Sequence, residues 1–292
     1  VFVSSQNRRI LDESGEFARG GAIYQVAIDG SSPPDLLPIT ERDGLPFHPH
    51  GISIIARVPF PLMYVINHPM HHSHTIEIFE MRPRELRFVR RLRSSLLISP
   101  NDLVALPNGH LYVTNDHGTA LGLKRTIEDM LALQWSTVVH FDGLYWRQVA
   151  GNIAFANGIA ASPAGDKIFV SSSRDRGLYV FARQSDGTLA ANPLFLHLDS
   201  GADNLLWEKP DTLNVAGHPS ALAFLAHAND PGDTSPSEVF RVNAETLRYS
   251  RIYRDPGTQI SASSTGLVVG NRFIIGQVFE DFLLNCQAPL DP

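Results

Sequence analysis

Asn101-Asp102-Leu103-Val104-Ala105-Leu106-Pro107-Asn108-Gly109-His110-Leu111-Tyr112-Val113-Thr114-Asn115 is a pair of short apolar runs around a Pro-Asn-Gly turn. An amide and a carboxylate open it, and Thr-Asn closes it. Runs this short, rich in Leu, Val and Tyr and bounded by turn residues, read as adjacent antiparallel strands. The same unit returns at 157–173, from Asn157-Gly158-Ile159 through Pro163-Ala164-Gly165-Asp166 to Lys167-Ile168-Phe169-Val170-Ser171. It returns more loosely at 50–68 and at 264–278, where Gly270-Asn271 makes the turn before Arg272-Phe273-Ile274-Ile275. Its opening phrase recurs as His50-Gly51-Ile52-Ser53, Asp203-Asn204-Leu205 and Ser264-Thr265-Gly266-Leu267, with successive starts 46 to 61 residues apart. A period of about 40 to 50 residues is what one four-stranded propeller blade consumes. Val1 to Ser5 matches the second strand of the unit, so a further phrase is expected upstream and the first blade is expected to be incomplete at the amino terminus.

The bulk properties agree with one such domain over 1–292. Hydrophobic residues are 43% and charged residues 18%, enough apolar surface for a sizeable core, and no Pro/Gly/Ser-rich linker divides the chain. The exception to an all-β reading is Arg125 to Trp135, where Ile127, Met130, Leu131 and Trp135 fall at helical spacing and predict a short rim helix. Asp29 to Pro38 and Asn229 to Ser237 read as surface loops. The formal net charge of −6 disfavours nucleic acid, whose phosphates want a basic face, and no nucleic-acid partner is expected. The basic run Arg82 to Arg93 alternates with Leu, Phe and Val, as a solvated strand face does. No apolar run approaches the roughly 20 residues of a spanning helix. The single cysteine, Cys286, has no partner within the chain; it is either a buried free thiol or paired with a residue upstream.

Residues repeated at one point of each blade would meet on the axis of a propeller. Asn101, Asn157, Asp203 and Asn204 bring amide and carboxylate oxygens to that point, which is the donor chemistry of calcium. A single Asn before a strand is ordinarily a turn or a cap; three at blade period are not. One carboxylate leaves the set under-charged, and at least one further acid is expected. Asp102 follows on the other side of a regular strand, suited to a second, more buried ion or to a structural hydrogen bond. His50 takes the ligand position in its own phrase, and His68, ending the neighbouring strand, can reach it. Two imidazoles in series can draw a proton from water, one as base and one orienting and relaying it. His218 and the pair Asp116-His117 are rim candidates. The cluster His68, His71, His72 and His74 has the composition of a transition-metal tract, but Met70 to His74 reads as a loop and nothing supplies a matching ligand set. A Gly-x-Ser-x-Gly elbow, a P-loop and a dinucleotide fingerprint are all missing.

Pro49-His50-Gly51-Ile52-Ser53, Val65-Ile66-Asn67-His68-Pro69, Asn101-Asp102-Leu103-Val104-Ala105, Thr114-Asn115-Asp116-His117, Phe155-Ala156-Asn157-Gly158-Ile159, Asp203-Asn204 and Gly217-His218-Pro219 together resemble the paraoxonase/arylesterase family across nearly the whole chain. The resemblance implies a six-bladed β-propeller holding a catalytic and a structural calcium ion, and hydrolysis of lactones, aryl esters and some organophosphates. It implies that Asn101, Asn157, Asp203 and Asn204 bind the catalytic calcium, and that Asp102 and the backbone carbonyl of Ile52 bind the structural one. His50 and His68 would form the water-activating dyad. His218, Val278, Asp116 and His117 would line the substrate pocket, and Thr119 to Trp135 would match the family's helical cover of the site. A Glu-Asp pair and a cysteine that the family carries in its first blade would lie before Val1, the cysteine bridging to Cys286. Glu280-Asp281 is not expected to replace that pair. The family's amino-terminal anchoring helix is not represented, so no membrane association is expected, and a secreted or extracytoplasmic setting is favoured. Two rivals stay open: a sugar-lactone hydrolase of the gluconolactonase and regucalcin type, and a non-catalytic propeller module stabilised by calcium.

Overall fold

Tyr24 stands opposite Val3, and Ile23 opposite Ser4, where β1 (Phe2–Ser5) and β2 (Ala22–Gln25) pair antiparallel; β3 (Asp35–Leu36) continues that sheet from β2. The computed structural model describes residues 1–9, 20–69, 71–120 and 122–290. Two positions of the sequence reading, Met70 and Leu121 within the expected cover segment, lie outside them. The second sheet joins β4 (Ile39–Thr40), β5 (Pro49–Ile55), β6 (Leu62–Asn67), β7 (Thr75–Arg82) and β8 (Glu85–Leu92) in the order β4-β8-β7-β6-β5, with β4 parallel to β8. The third holds β9 (Pro100–Ala105), β10 (Leu111–Asn115), β11 (Ser136–Phe141) and β12 (Trp146–Ile153), with helix α1 (Leu123–Leu131) between β10 and β11.

Three further sheets follow. The fourth is β13 (Ala156–Ala161), β14 (Lys167–Ser172), β15 (Gly177–Ala182) and β16 (Leu194–His197). The fifth is β17 (Gly201–Lys209), β18 (Thr212–His218), β19 (Ser237–Asn243) and β20 (Tyr249–Asp255), with α2 (Ala221–Asn229) after β18. The sixth is β21 (Ser263–Val269), β22 (Arg272–Gln277) and β23 (Leu284–Gln287). Six successive sheets, built from sequence neighbours except for the added β4, make the fold class a six-bladed β-propeller. By contact the chain divides into two compact units, Val1–Ala156 with Ser185–Thr188, and Asn157–Gln184 with Leu189–Pro292. The tip Ser185–Thr188 belongs to the first unit because the Tyr112 hydroxyl donates to the Gly187 carbonyl at 2.7 Å.

The central strands are buried on both faces, which is why they read as continuous apolar runs. Along β6, Met63 and Val65 pack with Ile23 and Phe79 on one side, while Tyr64 and Ile66 pack with Leu103 and Val113 on the other. That is the twofold alternation of a strand divided between two cores. In the second unit Phe169, Leu213, Val215 and Phe240 form the core between the fourth and fifth sheets, and Val239, Phe273 and Ile275 form another. The expected turns are tight: Gly109, Gly165 and Gly270 have φ of 84°, 72° and 59°, the left-handed region that favours glycine.

The helix lies two residues earlier than the periodicity suggests and stops at Leu131, where Ala132 adopts a left-handed cap with φ of 49°. Helix α2 has no counterpart among the elements the sequence predicts. Ser220 starts it by accepting from the Ala223 amide; the segment Ala-Leu-Ala-Phe-Leu-Ala is apolar all round and carries no amphipathic period to read. The loop expected over 29–38 contains β3, and that expected over 229–237 is found over 230–236, between α2 and β19. Cys286 is a half-buried free thiol on β23. No helix among the described residues is long and apolar enough to cross a membrane.

Candidate active site

Four of the five opening phrases, those beginning at His50, Asn101, Asp203 and Ser264, sit on a bulge. Pro49 pairs with Asn67 and Ile52 with Val65, so β5 spends one residue more than β6 across His50-Gly51. The same extra residue falls at Asn101-Asp102, between the pairs Pro100–Asn115 and Leu103–Val113. In the second unit it falls at Asp203-Asn204, between Ala202–Gly217 and Leu205–Val215, and again at Ser264. A bulge breaks the regular pleat and re-aims side chains. The alternation that assigned Asp102 to the opposite side of a regular strand therefore does not apply to β9.

In the first unit the bulge on β5 packs on the bulge on β9. A Cβ on Gly51 would lie 2.7 Å from Cα and Oδ1 of Asp102 and 2.8 Å from the Asn101 carbonyl, so only glycine fits. His50 Nδ1 meets His68 Nε2 at 3.0 Å, and His68 Nδ1 meets His74 Nδ1 at 2.8 Å. The loop reading of 71–74 holds, but it concealed that His74 folds back onto His68; the six-residue spacing carries no signal for it. His68 follows β6 and is fixed from behind. Its amide donates to the His48 carbonyl, while Asn67 accepts from the His48 amide at 2.7 Å and donates to buried Glu77 at 2.9 Å. Burial, then the charge of Arg8 and the neighbouring rings, holds His50 well below the ordinary histidine range. Burial, then His74 and Arg8, lowers His68 to about 3. Both imidazoles are neutral at neutral pH, the state a general base needs.

Asn101 and Asp116 share a hydrogen bond, Nδ2 to Oδ2 at 3.2 Å, which leaves Asn101 Oδ1 buried with no hydrogen-bond partner. Asp102 is buried; its Oδ1 accepts the Leu103 amide at 2.8 Å, and its own amide donates to Thr114 Oγ1. His117 stands between Asp116 Oδ1 at 2.6 Å and Asp129 Oδ1 of α1 at 2.8 Å. Burial works to lower the His117 pKa, but these two carboxylates outweigh it and raise it. Burial likewise opposes ionisation of Asp116, and His117, Ser99 and Arg125 overcome it and keep its pKa low. Glu128 ties α1 down by accepting from the Gly118 amide and the Thr119 hydroxyl at 2.8 and 2.9 Å. Ile52 is half-buried on β5 and packs against the core of the first two sheets.

The second unit repeats the glycine contact. A Cβ on Gly158 would lie 2.6 Å from Asn204 Cα and 2.8 Å from the Asp203 carbonyl. Asn157 Nδ2 donates to Ser173 Oγ at 3.1 Å, and Ser173 Oγ to the Ala202 carbonyl at 2.8 Å. Asp203 Oδ1 accepts from Asn204 Nδ2 at 2.9 Å, and Asn204 also donates to the Ser264 carbonyl. Asp203 Oδ2 meets His218 Nε2 at 2.8 Å, and the His218 ring packs on Phe224 of α2 with centroids 4.4 Å apart. Val278 is half-buried just after β22, its amide donating to Ala262. Glu280 Oε1 lies 3.0 Å from His227 Nε2.

Within the first unit the structure thus brings together His50, His68 and His74, and Asn101 with Asp116 and His117. Within the second it brings together Asp203, Asn204 and His218. Among the described residues no three carboxylate, imidazole or thiol groups converge as a metal cluster. The donors that fit a hard cation are amide and carboxylate oxygens, and buried Asn101 Oδ1, unpaired, is the kind of atom an ion would satisfy.

Comparison with known proteins gives this geometry its context. The family model described as Arylesterase matches residues 19–287. Serum paraoxonase/arylesterase 2 of Gallus gallus is 32% identical over 241 residues, covering 80% of this chain and 67% of that protein. Serum paraoxonase/arylesterase 1 of Homo sapiens is 31% identical, covering 81% and 68%. Among solved structures, a gluconolactonase from Xanthomonas campestris matches with a TM-score of 0.57 at 17% identity over 88% of this chain and 75% of that one. A periplasmic gluconolactonase from Pseudomonas aeruginosa matches with 0.54 at 13% identity, covering 94% and 74%. These structural likenesses show the fold alone. The match across the sequence shows the family, and the chain belongs to the arylesterase family.

Proposed function

We propose that this chain, acting as one domain, is a calcium-dependent hydrolase of lactones and aryl esters, with promiscuous activity toward organophosphates. The contact that carries the reading is His50 Nδ1 to His68 Nε2 at 3.0 Å between two rings held neutral. His50 takes the proton of the attacking water, and His68 orients His50 and receives the proton from it. Asn101, Asn157, Asp203 and Asn204 would hold the catalytic calcium, Asp102 and the Ile52 carbonyl the structural one. Calcium, when bound, supplies Lewis-acid polarisation of the substrate carbonyl.

The chain's own residues do the remaining work. The hydrogen bonds of Asn101 to Asp116 and of Asn204 to Asp203 fix amide oxygens in defined orientations. His218, Val278, Asp116 and His117 would form the substrate pocket, the last two together with α1, which they anchor. The relatives named serum paraoxonases support a secreted or extracytoplasmic setting. The test is hydrolysis of an aryl acetate and of an aliphatic lactone, with and without a calcium-selective chelator. Loss of both activities on chelation and recovery on adding calcium is expected. Stoichiometric calcium binding with no turnover of either substrate would instead favour a binding module.

A further inference from the structure

Ester or lactone hydrolysis produces a carboxylic acid that is ionised at neutral pH, so each turnover discharges one net proton. Attack forms a bond from water oxygen to the acyl carbon while the water proton passes to the base. Collapse breaks the acyl C–O bond, and its electron pair leaves with the alkoxide or phenolate, which takes its proton from the carboxylic acid product or from solvent. The proton drawn from water then stays on the base and must leave it before the base can act again. A base enclosed in protein needs a route for that proton.

The route is present as a third ring. His68 Nδ1 lies 2.8 Å from His74 Nδ1, with the ring planes at 82°, and His74 is half-buried beside exposed His71, His72 and Ser73. The two contacts admit two orders of tautomers. For His50 Nε2 to carry a free electron pair, His50 Nδ1–H must donate to His68 Nε2, and His68 Nδ1–H must donate to His74 Nδ1. His74 then carries its proton on Nε2. One acceptor atom at the end of the row therefore fixes the tautomer of both rings behind it. Resting on the reading of His50 as the base, we propose that His74 is the outer member of a three-imidazole relay that holds His68 in the working tautomer and carries the released proton to solvent.

The charged and titratable neighbours are consistent with traffic outward. Arg8 and His48 face His68, and Asp116 faces both His68 and His74, with Arg125 beyond. Burial keeps His74 neutral at rest, with Asp116 opposing that shift and Arg125 adding to it, so the ring is ready to accept. The third ring is placed by its 2.8 Å contact with His68.

The experiment compares His74→Ala and His74→Asn with the parent enzyme on an aryl acetate in dilute buffer, alongside thermal melting. The asparagine side chain retains an acceptor for His68 but cannot pass a proton on. Expected is a fall in kcat of about tenfold in both variants, with KM within twofold, and a rise in the rate of His74→Ala on adding imidazole. Parent kcat in either variant, a loss confined to KM, or no response to imidazole would overturn the relay. If His74→Ala does not fold, the near-isosteric His74→Asn decides by its kcat. His50→Gln separates the two levels: full activity there removes the base itself, whereas an inactive His50→Gln beside fully active His74 variants removes the relay alone.

Discussion

Gly51 lies so tightly against Asp102 that a Cβ would stand 2.7 Å from both the Cα and Oδ1 of that residue. Gly158 stands in the same relation to Asn204 in the second unit, at 2.6 Å from its Cα. Backbone, not a flexible side-chain tip, is what a methyl group would meet. Gly51→Ala and Gly158→Ala are expected to cost about 1–3 kcal/mol each as overpacking. Gly109→Ala, where nothing lies within 4 Å but φ is 84°, is expected to cost about 1–2 kcal/mol through the backbone alone. Urea unfolding measures all three. Activity should separate them, since the first two disturb the candidate residues beside them and the third should leave kcat intact.

Glu77 is fully buried between Arg42, at 2.6 and 3.0 Å, and Arg91, at 3.1 and 3.0 Å, and also holds Asn67. Removing its charge leaves two guanidinium groups without their buried partner. Glu77→Gln is expected to lose about 3–5 kcal/mol. It should also lower kcat, because Asn67 precedes His68 and ties it to His48. Chemical denaturation with parallel kinetics checks both. A variant of parent stability would show that the cluster is solvated in solution.

Asp255 ends β20 and accepts the Gly257 and Gln259 amides at 2.7 and 3.0 Å and the Thr258 hydroxyl at 2.9 Å. Burial alone would raise its pKa, but these donors outweigh it and lower it. A carboxyl depressed in the folded state adds stability above its unfolded pKa, near 3.9, and that stability is lost as pH falls through the lower folded value. Asp255→Asn should therefore be less stable than the parent by about 1–2 kcal/mol at pH 6. The gap should narrow as acid protonates the parent carboxyl. Unfolding curves at several pH values give the comparison, and a gap independent of pH would refute the assignment.

The parts of the fold legible in sequence were those with local chemistry. Pro107-Asn108-Gly109 and Pro163-Ala164-Gly165-Asp166 need a left-handed glycine and show it, and the recurring polar phrases located the first strand of each of five sheets. The bulges under His50, Asn101 and Asp203 were not legible, because an extra residue is visible only against the pairing strand. That is why the regular pleat does not decide the side of Asp102, whose Oδ1 accepts the Leu103 amide. His74 was missed because its partner is set by how the loop before β7 folds back, and α2 because its residues are apolar on every side. Of the candidate site, residue types and spacing singled out His50 and His68, whose rings meet at 3.0 Å, and the amide and carboxylate groups that recur at blade period. They could not show which donors already have partners, and the unpaired Oδ1 of Asn101 emerged only from the hydrogen bonds around it.

The most direct test is His50→Gln, assayed for aryl ester hydrolysis and, by titration calorimetry, for calcium binding. A loss in kcat on the order of 100-fold or more, with calcium affinity and melting temperature unchanged, is the predicted result. Parent-level turnover in this variant would contradict the account at its centre.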